Sequence, residues 1–368
     1  MSKTELYNVH LERIKKAIAL EKTDRVPVIP VGNSFCANHL GVSLADFAMN
    51  NELAADTMLK SFSSLGDIDG MQQPVFSPYL LSYQWLSKVR IPGIDLPKDV
   101  PWQVAEAEMM TVDDYDVIIN KGYNTFFKDF LKNRLDNLEE KVNPVFAYTP
   151  QAIENCKKEG LVTLSPIVCC IPYEVFCGGR TMVKFMRDLF RLSDKVQAAM
   201  DIAMDDIVES TRQVLRAMKP TGAWVGGWRG ASEFLSPKVW NRFEWPYFKR
   251  MVEVVLEENV IPVLHIDSNW ERDLEKFLEL PKGKCIFSSD HATNIYKVKE
   301  VLGDHMCIMG DVPAALTSLG TPDEVYNYST KLINEIGPKG FILSSGCDIP
   351  FNAKPENVKA MIAAVTDK

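Results

Sequence analysis

An imidazole, a few carboxylates and a thiol are the groups of this 368-residue chain with the most chemistry to offer. His265 and Asp267 lie two apart in VLHIDSNW, at the end of the apolar run VIPVL, and Cys347 follows the apolar run FIL within SSGCD. Residues two apart on an extended chain point to the same side, so one metal ion or polar substrate would meet both His265 and Asp267. Zinc held by one imidazole, one carboxylate and one thiolate is neutral overall, and three protein ligands leave one coordination position open. An open zinc draws charge from a bound oxygen or acidifies a thiol. The same residues also allow a metal-free reading, with His265 as a general base oriented by Asp267.

Such groups need strands to hold them at one place. Apolar runs at 26–31, 68–73, 161–167, 223–226, 260–264, 285–288, 306–309 and 340–343 read as strands, and amphipathic stretches between them read as helices. The helical stretches are 5–21, 43–49, 51–65, 149–158, 180–218 (as two helices), 236–258, 270–279, 293–302, 321–335 and 354–365. Strands alternating with helices imply a parallel sheet, and about eight of them is the number that closes a (β/α)8 TIM barrel; an open doubly wound sheet is the alternative. Ser268 and Glu271 have capping-box spacing, which starts the next helix directly behind His265 and Asp267. Residues 74–148, interrupted by Pro74, Pro78, Pro92, Pro97 and Pro101, read as an excursion of hairpins and loops over the barrel. No Gly/Ser-rich linker breaks the chain, so residues 1–368 read as one domain.

In such a barrel chemistry gathers where strands end. The strand ends present Asn33, Trp228 and Arg229, His265 and Asp267, Asp290 and His291, Asp311, and Cys347. Each has a plainer role open to it. Asp290 or Asp311 caps a helix in that reading, Cys347 is a small buried residue, and His291 belongs to a loop. His10, His39 and His305 are read as structural or surface residues. Together the set is harder to explain as unrelated caps, because caps need not converge on His, Asp and Cys. Trp224, Trp228, Trp270 and Phe351 lie near strand ends, where they either sandwich a ring or pack the core. Arg229 binds a carboxylate or pairs with Glu233, four positions on.

Composition narrows the function class. Nearly half the residues are hydrophobic and the net charge is −8, with no basic stripe interleaved with aromatics, which argues against a nucleic-acid binder. Charges interrupt the N-terminal apolar positions, and no apolar run approaches the ~18 residues of a membrane span. Eight irregularly spaced cysteines suit reduced thiols in a cytoplasmic protein. No GxGxxG or GxxxxGK[ST] follows a strand, which removes the main support for dinucleotide or P-loop binding.

The chain resembles the uroporphyrinogen decarboxylase superfamily in DRVPV (24–28), SEFLSPKVWNRFEWPYFKRMV (232–252), VLHIDSNW (263–270), GDVPAALTSLGTPDEV (310–325) and SSGCDIPFNAKPENVKAM (344–361). The resemblance implies a (β/α)8 barrel. Decarboxylases of this superfamily carry an arginine-rich segment after the first strand to hold a polycarboxylate; here that region reads IPVGNSFCANHLG, without arginine. The other branch comprises cobalamin-linked methyltransferases, some of which bind zinc through an HxC pair and a distant Cys. His265 and Cys347 match, while Asp267 replaces the pair's thiolate and makes a harder ligand set, suited to polarising an ether oxygen.

The signatures are most similar to the first methyltransferase of anaerobic aromatic O-demethylases. That resemblance implies SN2 transfer of a methyl from a methoxylated aromatic to cob(I)alamin, with zinc on His265, Asp267 and Cys347. Asp290 is then a fourth ligand or an acid at the ether oxygen, or the third ligand if Asp267 only orients His265. Asn33, Trp228, Arg229, Asn269 and Asp311 would face the substrate. No DxHxxG motif occurs, so the corrinoid arrives on a partner protein. A homodimer is an expectation by analogy alone. The alternatives are a methylcobalamin:thiol methyltransferase and a decarboxylating lyase.

Overall fold

The computed structural model describes residues 1–366. Its centre is a ring of eight parallel extended segments. They are β1, around Val28; β2, Gly70–Met71; β3, Val162–Thr163 continuing past a short break as Ile167–Cys169; and β4, Gly222–Gly227. The ring continues with β5, Ile261–Ile266; β6, Ile286–Ser289; β7, Cys307–Val312; and β8, Phe341–Ser345. β3 to β8 form one continuous sheet in chain order. β1 closes the ring: Val28 bridges Leu343, Ile29 N–H donates to Leu343 O at 3.0 Å, and Asp69 N–H donates to Val28 O at 3.0 Å. β2 pairs with β3, Gly70 opposite Val162. All eight strands expected from the sequence are present, and the fold is a (β/α)8 barrel.

Crowding sets two glycines. A Cβ on Gly222 would lie 2.7 Å from Leu164 O and 2.8 Å from Ile261 O, so β4 fits between its neighbours only without one. A Cβ on Gly70 would fall 2.1 Å from Val162 O. Inside the barrel, Ile29, Val162, Leu164, Val263, Ile286, Cys307, Met309 and Ile342 make a dry lower layer. The N-terminal helix Lys3–Ile18, started by a Ser2/Glu5 capping box, adds Ile14, Ala17 and Ile18 to that layer and closes the bottom. The larger hydrophobic cluster lies between the outer faces of the strands and the helices.

Several local expectations change. Residues 74–148 hold one antiparallel hairpin, Val89–Arg90 with Gln103–Val104, but are mostly helical: Tyr79–Trp85, Asp113–Lys121, Tyr123–Asn133 and the start of Leu138–Lys158. The five prolines lie outside those helices, and the last helix absorbs the stretch expected at 149–158. The 236–258 stretch breaks at Glu244 into Pro237–Phe243 and Trp245–Glu257. The Ser268/Glu271 capping box does not form. Ser268 turns at φ 68°, the following Glu271–Glu279 is a 3-10 helix beginning after Trp270, and Glu271 instead accepts from Asn294 N–H at 3.1 Å. No helix of the described residues is long and apolar enough to cross a membrane, and all eight cysteines are free thiols.

Candidate metal centre

Two positions up β5 from the dry layer, the inward-facing residue is His265, buried and opposite Ser288 of β6. Ser288 Oγ lies 3.3 Å from His265 Nδ1. An Nδ1–H donated to that hydroxyl leaves Nε2 with its lone pair exposed to the barrel axis, the tautomer a metal ligand needs. Trp224 of β4 packs edge-on against the imidazole, ring centroids 4.5 Å apart, and fixes its plane.

Asp267 follows one residue beyond the end of β5, and its Oδ1 comes within 3.0 Å of His265 Nε2. That contact has the length of a hydrogen bond but not its direction: Nε2 and Oδ1 are both buried and neither has a hydrogen-bond partner. Cys347 joins them from the loop after β8, and the imidazole nitrogen, the carboxylate oxygen and the thiol sulfur lie within 4.8 Å of one another. Bonds of roughly 2.0–2.3 Å to a tetrahedral zinc put its ligands about 3.3–3.8 Å apart, so shifts of about 1 Å close this set on an ion. Unpartnered buried ligand atoms, and an N/O/S set whose carboxylate and thiolate offset the charge of Zn²⁺, fit zinc. Burial pulls the His265 imidazolium down, but Asp267 and Cys347 outweigh it and raise its pKa to about 10 without a metal.

Asp290, at the end of β6, lies outside this triad. Its Oδ2 accepts from Ser268 N–H and its Oδ1 from Ala292 N–H, each at 2.8 Å, so it ties the loop after β5 to its own loop. Burial raises its pKa against those two donors. Asp311 is fully buried, with Tyr328 O–H donating to Oδ1 at 2.8 Å and His291 Nδ1 3.1 Å from Oδ2. The Asp311 contact raises the His291 pKa. Asn33 N–H donates to Asp348 Oδ1 at 2.7 Å, while Asn33 Oδ1 is buried and unpartnered. Asn269 is spent on tying loops together: its side chain meets Glu271 and Ala292 O, and its N–H donates to Glu233.

The aromatic set divides. Trp270 is fully buried among Trp240, Phe248 and Phe277, so it packs the core. Trp228 stays at the mouth, edge-on to Trp85 at 5.5 Å, and Arg229 lies over the Trp85 ring at 5.4 Å. Arg229 pairs with Glu106 at 3.2 Å, not with Glu233.

The sequence reading missed Trp85, Glu106 and a buried acid beneath this loop. Glu174 Oε1 accepts from the N–H groups of Trp228, Arg229 and Gly230 at 2.8–3.0 Å. Glu244, also fully buried, sits so close to Gly230 that a Cβ there would fall 2.2 Å from its carboxyl carbon. Burial pushes Glu174 up to about 7, and burial together with Glu174 pushes Glu244 well above the ordinary carboxylate range. A lone charge inside the apolar run CCIPYEVFCGG was the available signal for Glu174.

A closed (β/α)8 barrel with a His/Asp/Cys cluster at the C-terminal mouth defines the class. The uroporphyrinogen decarboxylase (URO-D) family profile matches residues 116–367, and the chain belongs to that family. It is 23% identical over 235 residues to a uroporphyrinogen decarboxylase of Christiangramia forsetii, an alignment covering 61% of this chain and 66% of that protein's length. The barrel is similar to that of a methyltransferase from Methanosarcina mazei, with a TM-score of 0.73 at 20% identity over 96% of this chain and 97% of the other.

Proposed function

We propose that this protein is a methyltransferase that demethylates methoxylated aromatic compounds and passes the methyl to a corrinoid carried by a separate protein. The observation that carries the reading is the convergence of His265 Nε2, Asp267 Oδ1 and Cys347 Sγ, two of them buried atoms without hydrogen-bond partners. In the overall reaction the ether C–O bond breaks, the methyl passes to the reduced corrinoid, and the phenolate takes up one proton. An unassisted phenolate is a poor leaving group, so the site must stabilise charge at the ether oxygen. A zinc held by His265, Asp267 and Cys347 would supply Lewis acidity there.

The chain's own residues do the rest. Ser288 and Trp224 fix the His265 ring. Trp85 and Trp228 offer aromatic surface for a substrate ring, and Glu174 holds the loop that carries Trp228. Asp290, whose carboxyl is biased toward protonation by burial, is an acid bonded directly to the loop that bears Asp267. A decarboxylase of polycarboxylates is the second reading, favoured by the relative from Christiangramia forsetii. Against it, the segment after β1 has no arginine, and Arg229 is already paired with Glu106.

The test is an anaerobic incubation with methoxybenzenes and chemically reduced cobalamin, followed by absorbance and by chromatography of the phenol. Equimolar phenol and methylcobalamin are expected. Release of carbon dioxide from a polycarboxylate, with no methyl transfer from any methoxyarene, would favour the second reading.

A further inference from the structure

Beyond the barrel end of β3, the helix Met182–Arg191 presents a face that the rest of the chain does not cover. Val183, Arg187 and Phe190 recur at helical spacing on one side, with Arg191 adjoining. Val183 is 73% exposed, and Phe190, at 87%, is the most exposed large hydrophobic side chain among the described residues. Arg187 and Arg191 are exposed and form no ion pair among the described residues, and Lys184 alone of the helix's outward cations is engaged, by Glu108. The helix's one acid, Asp188, turns inward to Arg180 and Tyr115, and Asp194 just beyond the helix is neutralised by Arg242. An otherwise acidic chain, net −8, thus exposes a phenylalanine between free arginines, the residue types that anchor protein interfaces.

Its position bears on what covers it. Glu106 Oε1 accepts from Met182 N–H at 2.9 Å, and Oε2 of the same carboxylate pairs with Arg229 at the end of β4. The start of the helix is therefore bonded to the mouth of the barrel, and Phe190 lies about 12 Å further along it. A partner that buries about 800 Å² on this chain covers a disc of roughly 16 Å radius. A protein seated over the mouth would therefore reach this face.

We infer that the Val183–Arg191 face is the docking surface for the corrinoid-bearing protein, which presents acidic and apolar side chains to it. The inference rests on the proposed methyl transfer. A second copy of this chain seated here would crowd the mouth that the cofactor must enter, so the methyl acceptor is the occupant the geometry favours.

The test compares two acceptors: free cob(I)alamin, which needs no docking, and cob(I)alamin bound to a corrinoid protein. Phe190→Ser and Arg187→Glu/Arg191→Glu are measured beside the wild type, with circular dichroism to confirm folding. Expected is a fall of tenfold or more in kcat/KM for the protein-borne acceptor, on the order of what loss of an interface anchor produces, steeper at low salt for the charge reversal, with free cob(I)alamin used within about twofold of wild type. Arg187→Lys/Arg191→Lys should keep most of the rate. Equal rates of wild type and variants on the protein-borne acceptor, or a wild type that uses free cob(I)alamin as well as the protein-borne form, would overturn the docking surface. So would variants that turn a dimer into a monomer by analytical ultracentrifugation while keeping that rate, which would assign the face to a second copy. A wild type that methylates neither acceptor contradicts the proposed function itself.

Discussion

The two ends of this barrel are both charged, and they treat charge in opposite ways. At the bottom, Asp69 is fully buried just before β2, and every donor around it is matched: Arg13 binds Oδ1, while Arg25 at 2.7 Å and Val28 N–H at 2.8 Å bind Oδ2. Arg13 also pairs with Asp24 at 2.6 Å, which holds the Asp24 carboxyl well below its ordinary range. At the mouth, His265 Nε2, Asp267 Oδ1, Asn33 Oδ1, Gln72 Oε1 and Trp224 Nε1 are buried without partners. Buried polar groups ordinarily find partners, so the Asp69 cluster is finished as structure, while the unpartnered atoms gathered around His265 are built to receive something. The same strands serve both, with the dry layer of Val263, Ile286 and Ile342 between.

The largest expected effect that sharpens this contrast is at the bottom. Asp69→Ala leaves Arg13 and Arg25 without their buried acceptor and should cost about 3–5 kcal/mol, read from urea unfolding. Metal content per folded molecule should not change; a loss of metal at unchanged stability would break the division between the ends.

Next is the pH response of the buried acids under the mouth. Glu174, ordinarily near 4.5, is raised to about 7 in the folded chain. Between those values the folded state holds the extra proton, so this group's contribution to stability declines as pH rises from 4.5 towards 7 and is level above that. The slope is at most about 1.4 kcal/mol per pH unit. Glu174→Gln should flatten it, so the variant gains on the wild type between pH 5 and 7.5. A variant that tracks the wild type throughout would mean that Glu174 titrates normally.

A smaller change is expected at Ser288. Ser288→Ala frees the far side of His265 and should weaken metal affinity by roughly tenfold, the low end of effects at residues that orient a ligand, with little change in folding. Chelator competition reads it directly.

The sequence revealed the frame of this molecule better than its long-range partners. Strands were legible because each apolar run ends in polar residues, and His265, Asp267 and Cys347 were legible because they stand at such ends. What was not legible depended on residues far away. Trp270 enters the core because the chain turns at Ser268, where a capping box was expected. Arg229 chooses Glu106 over Glu233 because the 74–148 segment folds back over the end of β4. Asp290 and Asn269 serve neighbouring loops, and Asp311 meets His291 and Tyr328. None of these partners has a local signature, because each is set by how loops from different strands meet at the mouth.

The central claim is that His265, Asp267 and Cys347 bind one zinc. Its most direct test is metal analysis by plasma mass spectrometry of the purified wild type beside His265→Ala, Asp267→Ala and Cys347→Ala. About one zinc per chain in the wild type and its loss in all three folded variants is the expected result. A wild type that takes up no zinc after growth with added metal, or variants that keep it, would contradict the account and return His265 and Asp267 to acid–base roles.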